Sequence, residues 1–321
     1  MLQLALLFFQ LNLGSILNPS QGLSVPVIIL ISFILGMLHG VTPDEHTWPI
    51  TFSYAIGSYS SRKGMKAGFT FSAGFTLQRA FLTTIGFLGF AAIYKTYNLD
   101  GPVYVIVGIA MLIAGAYILN KKRYMHLPFD LLLHKNIHSD RQNRVPKYES
   151  DVYATKDVPL KMAAVHGLIA GFGFGAYATI LVFVLTPQLP NLLSAPLPGL
   201  FFGIGTTIMQ IIFGAIFANL VKFKNIDEKH ALAIGRKTSG RTLYYGGMLF
   251  AIIGLLIILF PVIDKIAIST GNPIPNLDSI GIATLLVFGT VGVFGIGNLI
   301  YSFIEISKVG KPTGKSEQRN K

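Results

Sequence analysis

Apolar residues run along this chain in long blocks separated by short basic stretches, and the blocks set the expected architecture. No Asp, Glu, Lys or Arg precedes Asp44, and none occurs from Met162 through Val221, a run of 60 residues. A helix needs ~20 residues to cross hydrocarbon, so such blocks are long enough to span a bilayer. They predict helical spans over Val25–Tyr59, Ala67–Tyr94, Val103–Asn120, Met162–Thr186, Pro198–Val221, Thr242–Val262 and Ser279–Phe303. A further apolar segment, Leu2–Leu17, carries Gln10 and Asn12 and has no basic residue ahead of it. That fits a cleaved signal peptide poorly and leaves either an eighth, short N-terminal span or an interfacial helix. The expected fold class is all-α, a polytopic membrane helix bundle.

Composition agrees. Of 321 residues, 52% are hydrophobic and 12% charged, the latter about half the usual charged share of soluble domains. Cysteine is absent, which excludes disulfides, thiolate metal ligands and cysteine nucleophiles. The net charge of +12 is unevenly placed. Of 26 basic residues, 23 fall in the stretches Arg62–Lys66, Lys121–Lys161, Lys222–Arg241 and Lys308–Lys321, whereas the opposite loops hold Lys95 and Lys265 and one span holds Arg79. The biased side is expected to be cytoplasmic, with the C-terminus inside a cell membrane crossed many times. The charge is thus a topology signal and calls for a lipid bilayer as partner, with no nucleic acid.

Two triplets of spans resemble one another. Leu38-His39-Gly40 recurs as Val165-His166-Gly167, Gly68 through Gly74 as Gly199 through Gly205, and Gly108 through Gly115 as Gly247 through Gly254, at offsets of 127, 131 and 139. An odd number of spans per copy requires the second to run inverted, a transporter signature. The chain then divides into an N-terminal apolar segment (1–24), a first three-span repeat (25–120), a basic linker (121–161), a second three-span repeat (162–262), a loop and extra C-terminal span (263–304) and a basic tail (305–321).

The chemistry concentrates in the first span. Its 35 residues would make about 52 Å of helix, too long for a ~30 Å core. A break is expected between Gly40 and Pro43: Gly40 can end one helix, and Thr42-Pro43-Asp44-Glu45 has the spacing of an N-cap, a first-turn proline and a capping box. Pro49 adds a kink. A broken helix at membrane depth is tolerated beside a cavity or buried in protein, and His39, Asp44, Glu45 and His46 flank this one. Imidazole with carboxylate suits Ni, Co, Zn or Fe(II), and ionisable groups within a span are functional by default. The structural alternatives are Glu45 as capping partner, Asp44 as counter-ion of Arg79, and His39 bonded to a carbonyl. His166 opens the second triplet where His39 stands in the first and is read as a further site member. Gly167, Gly171 and Gly175 after it read as close-packing positions. Arg79 and Gln78 are candidates for the transport pathway, with interhelical hydrogen bonding as the alternative for Gln78, Gln210 and Asn298. Asp130, His134 and His138, with His126 nearby, share a helical spacing in the linker and read as an ordinary solvated loop or a weak metal-handling patch.

The segment around His39 resembles the nickel/cobalt transporter families of the lysine-exporter superfamily, which carry His-x4-Asp-His in a membrane helix, then a basic turn and a glycine-rich helix. Here His39, Asp44 and His46 stand at comparable positions, followed by Arg62-Lys63 and by Ala67 through Gly74, with Glu45 between Asp44 and His46 and with Phe75 where the family commonly has a histidine. The resemblance implies that His39, Asp44 and His46 bind the transported ion. The expected protein is therefore not an enzyme. It is a secondary permease for divalent transition-metal ions of the nickel/cobalt class, with the metal as substrate and no tightly bound cofactor. No Gly-x4-Gly-Lys-Ser/Thr loop couples it to ATP. A same-fold transporter of another small solute, a membrane-embedded metalloenzyme and an assembly factor are the competing readings. Homo-oligomerisation is open.

Overall fold

The computed structural model describes residues 12–90, 99–119, 158–173, 175–222 and 226–309, and they are mostly helical. In chain order the helices are α1 (Leu13–Leu17), α2 (Val25–Val41), α3 (Trp48–Ile56), α4 (Ser61–Ile85), α5 (Asp100–Leu119), α6 (Leu160–Ala170), α7 (Ala176–Gln188), α8 (Leu197–Asn219), α9 (Glu228–Leu259) and α10 (Ile282–Ser307). Three stretches, Gly86–Phe90 after α4, Ile180–Leu185 in α7 and Phe288–Ile296 in α10, are wound wide as π-helix. A two-residue antiparallel hairpin, β1 (Ile268–Ser269) and β2 (Ser279–Ile280), lies between α9 and α10. Four helices, α5, α8, α9 and α10, are long and apolar enough to cross a membrane.

The polarity of these helices is inverted relative to a soluble bundle. On α8, Ile204, Ile208, Ile212 and Ile216 form an exposed apolar row at four-residue spacing. The opposite face buries Gly199, Gly203, Gly205, Thr206, Gln210 and Gly214. A soluble helix hides its apolar stripe. One in hydrocarbon gains nothing by that, and instead buries small and hydrogen-bonding residues where backbones approach.

Every major packing contact joins the first triplet to the second. The α4 helix crosses α8 and α5 crosses α9, both antiparallel, while α2 lies along α8 and α6 along α4 in parallel. The approach is backbone to backbone. A Cβ on Gly36 would sit 1.9 Å from the Phe202 carbonyl oxygen, and one on Gly167 would sit 1.9 Å from that of Phe71. Likewise Gly68 abuts the Gln210 carbonyl and Gly199 that of Arg79, at 2.1 and 2.0 Å, and Gly64 and Gly214 abut each other's carbonyls. The Gly36 and Gly167 contacts, and the Gly68 and Gly199 contacts, are related by an offset of 131, and the hydroxyls of Thr76 and Thr207, also 131 apart, meet at 3.3 Å. In α5 and α9, Gly101 meets Gly254, Gly108 meets Gly247 and Gly115 meets Gly240, an exchange related by an offset of 139. No side chain other than hydrogen fits at such positions.

Several boundaries differ from the sequence expectation. The Val25–Tyr59 block is two helices, as expected, but so is the Met162–Thr186 block, split into α6 and α7 around Gly171–Gly175. The α4 helix begins at Ser61, so Arg62, Lys63 and Lys66 occupy its first turns and not a loop, with Ser60 capping through the Lys63 amide. The α9 helix begins at Glu228, which places Arg236, Lys237 and Arg241 on a helix too. There Glu305 of α10 accepts from Lys237 Nζ and, at 2.7 Å, from Arg241 Nη2, while Arg241 Nη1 reaches Ser302 Oγ at 2.8 Å. Charge in a partly buried setting is tolerated when each group is paired and hydrogen-bonded, and this pairing ties the extra helix to the second triplet. Within the N-terminal segment α1 is short and held by an Asn12–Ser15 capping box. The linker residues His126, Asp130, His134 and His138 lie outside the described residues.

Candidate functional site

The α2 helix ends where its sequence runs out of donors. Thr42 has left helical geometry (φ −76°, ψ 144°) while its amide still bonds the Leu38 carbonyl. Its hydroxyl donates to the same oxygen at 2.9 Å, and Pro43 has no N–H to continue the ladder. Asp44 then turns the chain: its Oδ1 accepts the His46 amide at 2.9 Å, the Asx geometry that this residue type supplies. The next helix starts at Trp48, with Pro49 in its first turn and Thr47 before it. The break therefore falls between Val41 and Trp48, later and longer than expected. Thr42 closes α2 and does not cap α3, the Thr42–Glu45 capping box does not form, and Pro49 begins a helix instead of kinking one.

The turn buries its ionisable side chains together. Ligand atoms of Asp44, Glu45 and His46 all lie within 4.8 Å of one another. Glu45 Oε1 is 3.0 Å from His46 Nδ1 and accepts from the Tyr104 hydroxyl at 3.1 Å. His46 Nδ1 is 3.9 Å from Asp44 Oδ1, and Asp44 Oδ2 is 3.6 Å from His39 Nδ1. All four groups are at most 5% exposed. His39 stacks on Phe75 at 5.5 Å between ring centroids and also meets Tyr177 and Phe202. Both its ring nitrogens, and Nε2 of His46, are buried without a hydrogen-bond partner among the described residues. Buried polar atoms are seldom left so without a functional reason.

A second break faces the first. Between α6 and α7 stand Gly171, Gly173 and Gly175. A Cβ on Gly173 would fall 2.0 Å from His46 Nε2, and one on Gly171 would fall 2.4 Å from Gln78 Oε1. The glycines thus clear space for the side chains of the opposite half. Each break also has its open carbonyls served from across the interface. Gln210 Nε2 donates to the Gly40 carbonyl at 3.1 Å, and Arg79 Nη2 donates to the Gly173 carbonyl at 2.9 Å. The Arg79 guanidinium lies over the rings of Phe75 and Phe202, 4.7 and 5.7 Å from their centroids.

The structure thus gathers Asp44, Glu45 and His46, sets His39 beside them, and brings Gln78 and Arg79 against the glycines of the second break. It does not bring His166 into this group. His166 Nδ1 lies 2.8 Å from the Met162 carbonyl oxygen and 2.9 Å from the Tyr54 hydroxyl. The reason is register. Gly36 and Gly167 make like contacts, with the carbonyls of Phe202 and Phe71, and stand 131 residues apart, whereas His39 and His166 stand 127 apart. Asn298 also differs from expectation, since its side chain bonds the Phe294 carbonyl of its own helix at 2.6 Å.

Sequence reading missed Tyr104 and Asn276. Tyr104 lies in an apolar block and carries no local signal. Asn276 comes from the segment between α9 and α10, and its Nδ2 reaches Asp44 Oδ2 and Thr42 Oγ1, each at 3.3 Å. A cavity of about 320 Å³ opens onto the site, bounded by Glu45, His46, Asp100 and Tyr104 on one side and by Asp264, Asn276 and Asp278 on the other. No family model, curated protein or solved structure matches this chain.

Proposed function

We propose that the chain is an integral-membrane secondary permease for divalent transition-metal ions of the nickel/cobalt class, with the ion as substrate at His39, Asp44, Glu45 and His46. One observation carries this reading: two carboxylates and an imidazole converge within 4.8 Å at a helix break, with a second imidazole 3.6 Å from the first carboxylate. Imidazole and carboxylate together favour the later first-row divalent metals over calcium or magnesium, which prefer oxygen alone. The imidazole nitrogens without partners gain by ligation what burial costs them.

The helix architecture supports alternating access. In this reading the two triplets are inverted copies, related by the exchange that maps Gly36 onto Gly167 and Gly108 onto Gly247. The site lies at their interface, where such transporters place it. The copies are chemically unequal: the first break carries the ligands, and the second offers glycine and backbone. The basic excess puts the N-terminal ends of α4 and α9 and the C-terminus in the cytoplasm.

Metal quantification in cells expressing the protein, together with calorimetric titration of the purified chain with Ni²⁺ and Co²⁺, tests the proposal. His39→Ala, Asp44→Ala and His46→Ala are each expected to abolish flux and weaken binding while the protein still inserts. Wild-type flux and affinity in all three would refute the metal reading and favour another small solute.

A further inference from the structure

Between Leu259 and Ile282 the chain leaves the bundle, passes through the β1–β2 hairpin and returns across the mouth of the cavity. Its inward tip is Asn276, held at φ +68°. This left-handed conformation is uncommon outside glycine, and asparagine is among the side chains that tolerate it best. It delivers the carboxamide to the site, where Nδ2 donates to Asp44 Oδ2 and Thr42 Oγ1, both at 3.3 Å. One residue earlier the Pro275 carbonyl accepts from the Tyr177 hydroxyl at 3.3 Å. The segment is thereby pinned to both broken helices, through Thr42 and Asp44 on one side and Tyr177 of α7 on the other.

The oxygen that Asn276 engages is the one facing His39 Nδ1 at 3.6 Å. A cation held between His39 and Asp44 needs that same oxygen. An amide N–H aimed at it carries partial positive charge and stands where the cation must come. Donor and ion therefore compete for one oxygen.

We propose that Asn276 is a removable cap on the cation site: it latches the segment between α9 and α10 over Asp44, and a divalent cation arriving at Asp44 displaces it. This rests on the metal reading of Asp44. A neutral amide suits the task, because it satisfies the carboxylate in the empty state without cancelling the charge that draws the ion. Releasing it breaks two hydrogen bonds and no ion pair. Asn276 is a positioning residue here, acting through Asp44 and the segment it tethers.

The chain has no cysteine, so nitroxides can be placed at Leu192→Cys, in the exposed turn between α7 and α8, and at Asn272→Cys, in the exposed tip of the segment. Pulsed electron spin resonance on the full chain then reads the distance between them. Zn²⁺ serves as the probe, being diamagnetic and a ligand match for imidazole and carboxylate. Without metal, Asn276→Ala is expected to add a second, displaced population, and Tyr177→Phe, which leaves Asp44 untouched, to add a smaller one. Zn²⁺ is expected to do the same with Asn276 present and to do nothing in Asp44→Asn. An unchanged distribution in Asn276→Ala overturns the cap, and so does an unchanged distribution in a protein that calorimetry shows to bind Zn²⁺. If Asn276→Ala frees the segment but calorimetry detects no Zn²⁺, Ni²⁺ or Co²⁺ binding, the metal reading fails, the displacement by cation fails with it, and the latch alone stands.

Discussion

Glu45 changes role once its neighbours are visible. On spacing alone it is the partner in a capping box, and Glu45→Gln would then be mild. In the folded chain its carboxylate contacts His46 Nδ1 at 3.0 Å and accepts from Tyr104 at 3.1 Å. Gln cannot hold a protonated or metal-bound imidazole as carboxylate does, so Glu45→Gln is expected to weaken Ni²⁺ or Co²⁺ binding strongly. Tyr104→Phe removes only the hydroxyl donor, worth about 1 kcal/mol, and is expected to lower metal affinity modestly. His166→Ala, by contrast, is expected to lower thermal stability and leave metal affinity unchanged. Calorimetry beside thermal unfolding separates the three, and a His166→Ala protein that loses metal binding would return His166 to the site. His39, Asp44 and His46 were legible because ionisable residues in an apolar block announce themselves. Tyr104 and Asn276 were not, because an apolar block tolerates a tyrosine without comment and a loop asparagine is commonplace; only the folded geometry gives them partners.

At the scale of elements, the first helix break was legible and the second was not. The first is overdetermined by length, proline and charge. The second lies in a block of ordinary length whose glycines, Gly171, Gly173 and Gly175, also read as packing positions. All three lie at the interruption, and Gly171 and Gly173 also make room for Gln78 and His46. In the first helices of the two triplets a His-Gly dipeptide suggests an offset of 127, whereas the backbone contacts of Gly36 and Gly167 are made 131 residues apart. Those contacts make a prediction. Gly36→Ala and Gly167→Ala each place a Cβ 1.9 Å from a carbonyl oxygen of the opposing helix. Relief requires the helices to separate, and each change is expected to cost about 1–3 kcal/mol. Gly175→Ala, whose Cβ would meet nothing within 4 Å, serves as the control. Thermal unfolding in detergent, with all three variants compared, checks the ranking; equal midpoints would show that the interface gives way more easily than drawn.

For the whole molecule, the four long apolar helices among the described residues and the basic excess support the proposed arrangement in the bilayer. Single cysteines at Ser61 and Lys229, at the N-terminal ends of α4 and α9, are expected to resist a membrane-impermeant maleimide in intact cells. One at Thr270, in the segment between α9 and α10, is expected to react. Labelling of Ser61→Cys and Lys229→Cys from outside would reverse the orientation; labelling of one but not the other would end the inverted-repeat reading. Sequence patterning conveyed the four long apolar helices well, because hydrocarbon imposes a minimum length on each. It conveyed their ends poorly, because a helix can run on into water, as α9 does from Glu228, with charges that composition alone assigns to a loop.

The exchange of contacts between triplets bears on how the chain is made. The α4 helix finds its principal neighbour in α8, α5 in α9, and α2 in α8, so each triplet lacks most of its packing partners until the other is in place. During synthesis the first triplet must wait in the membrane with its glycine faces uncovered, an orphan that cellular proteolysis can recognise. A gene cut within the linker should therefore yield two fragments that are each degraded when expressed alone and that protect one another when expressed together. Fragment half-lives in pulse-chase would read this directly, and a first triplet that persists unaided would mean that its interior is more self-sufficient than its contacts indicate.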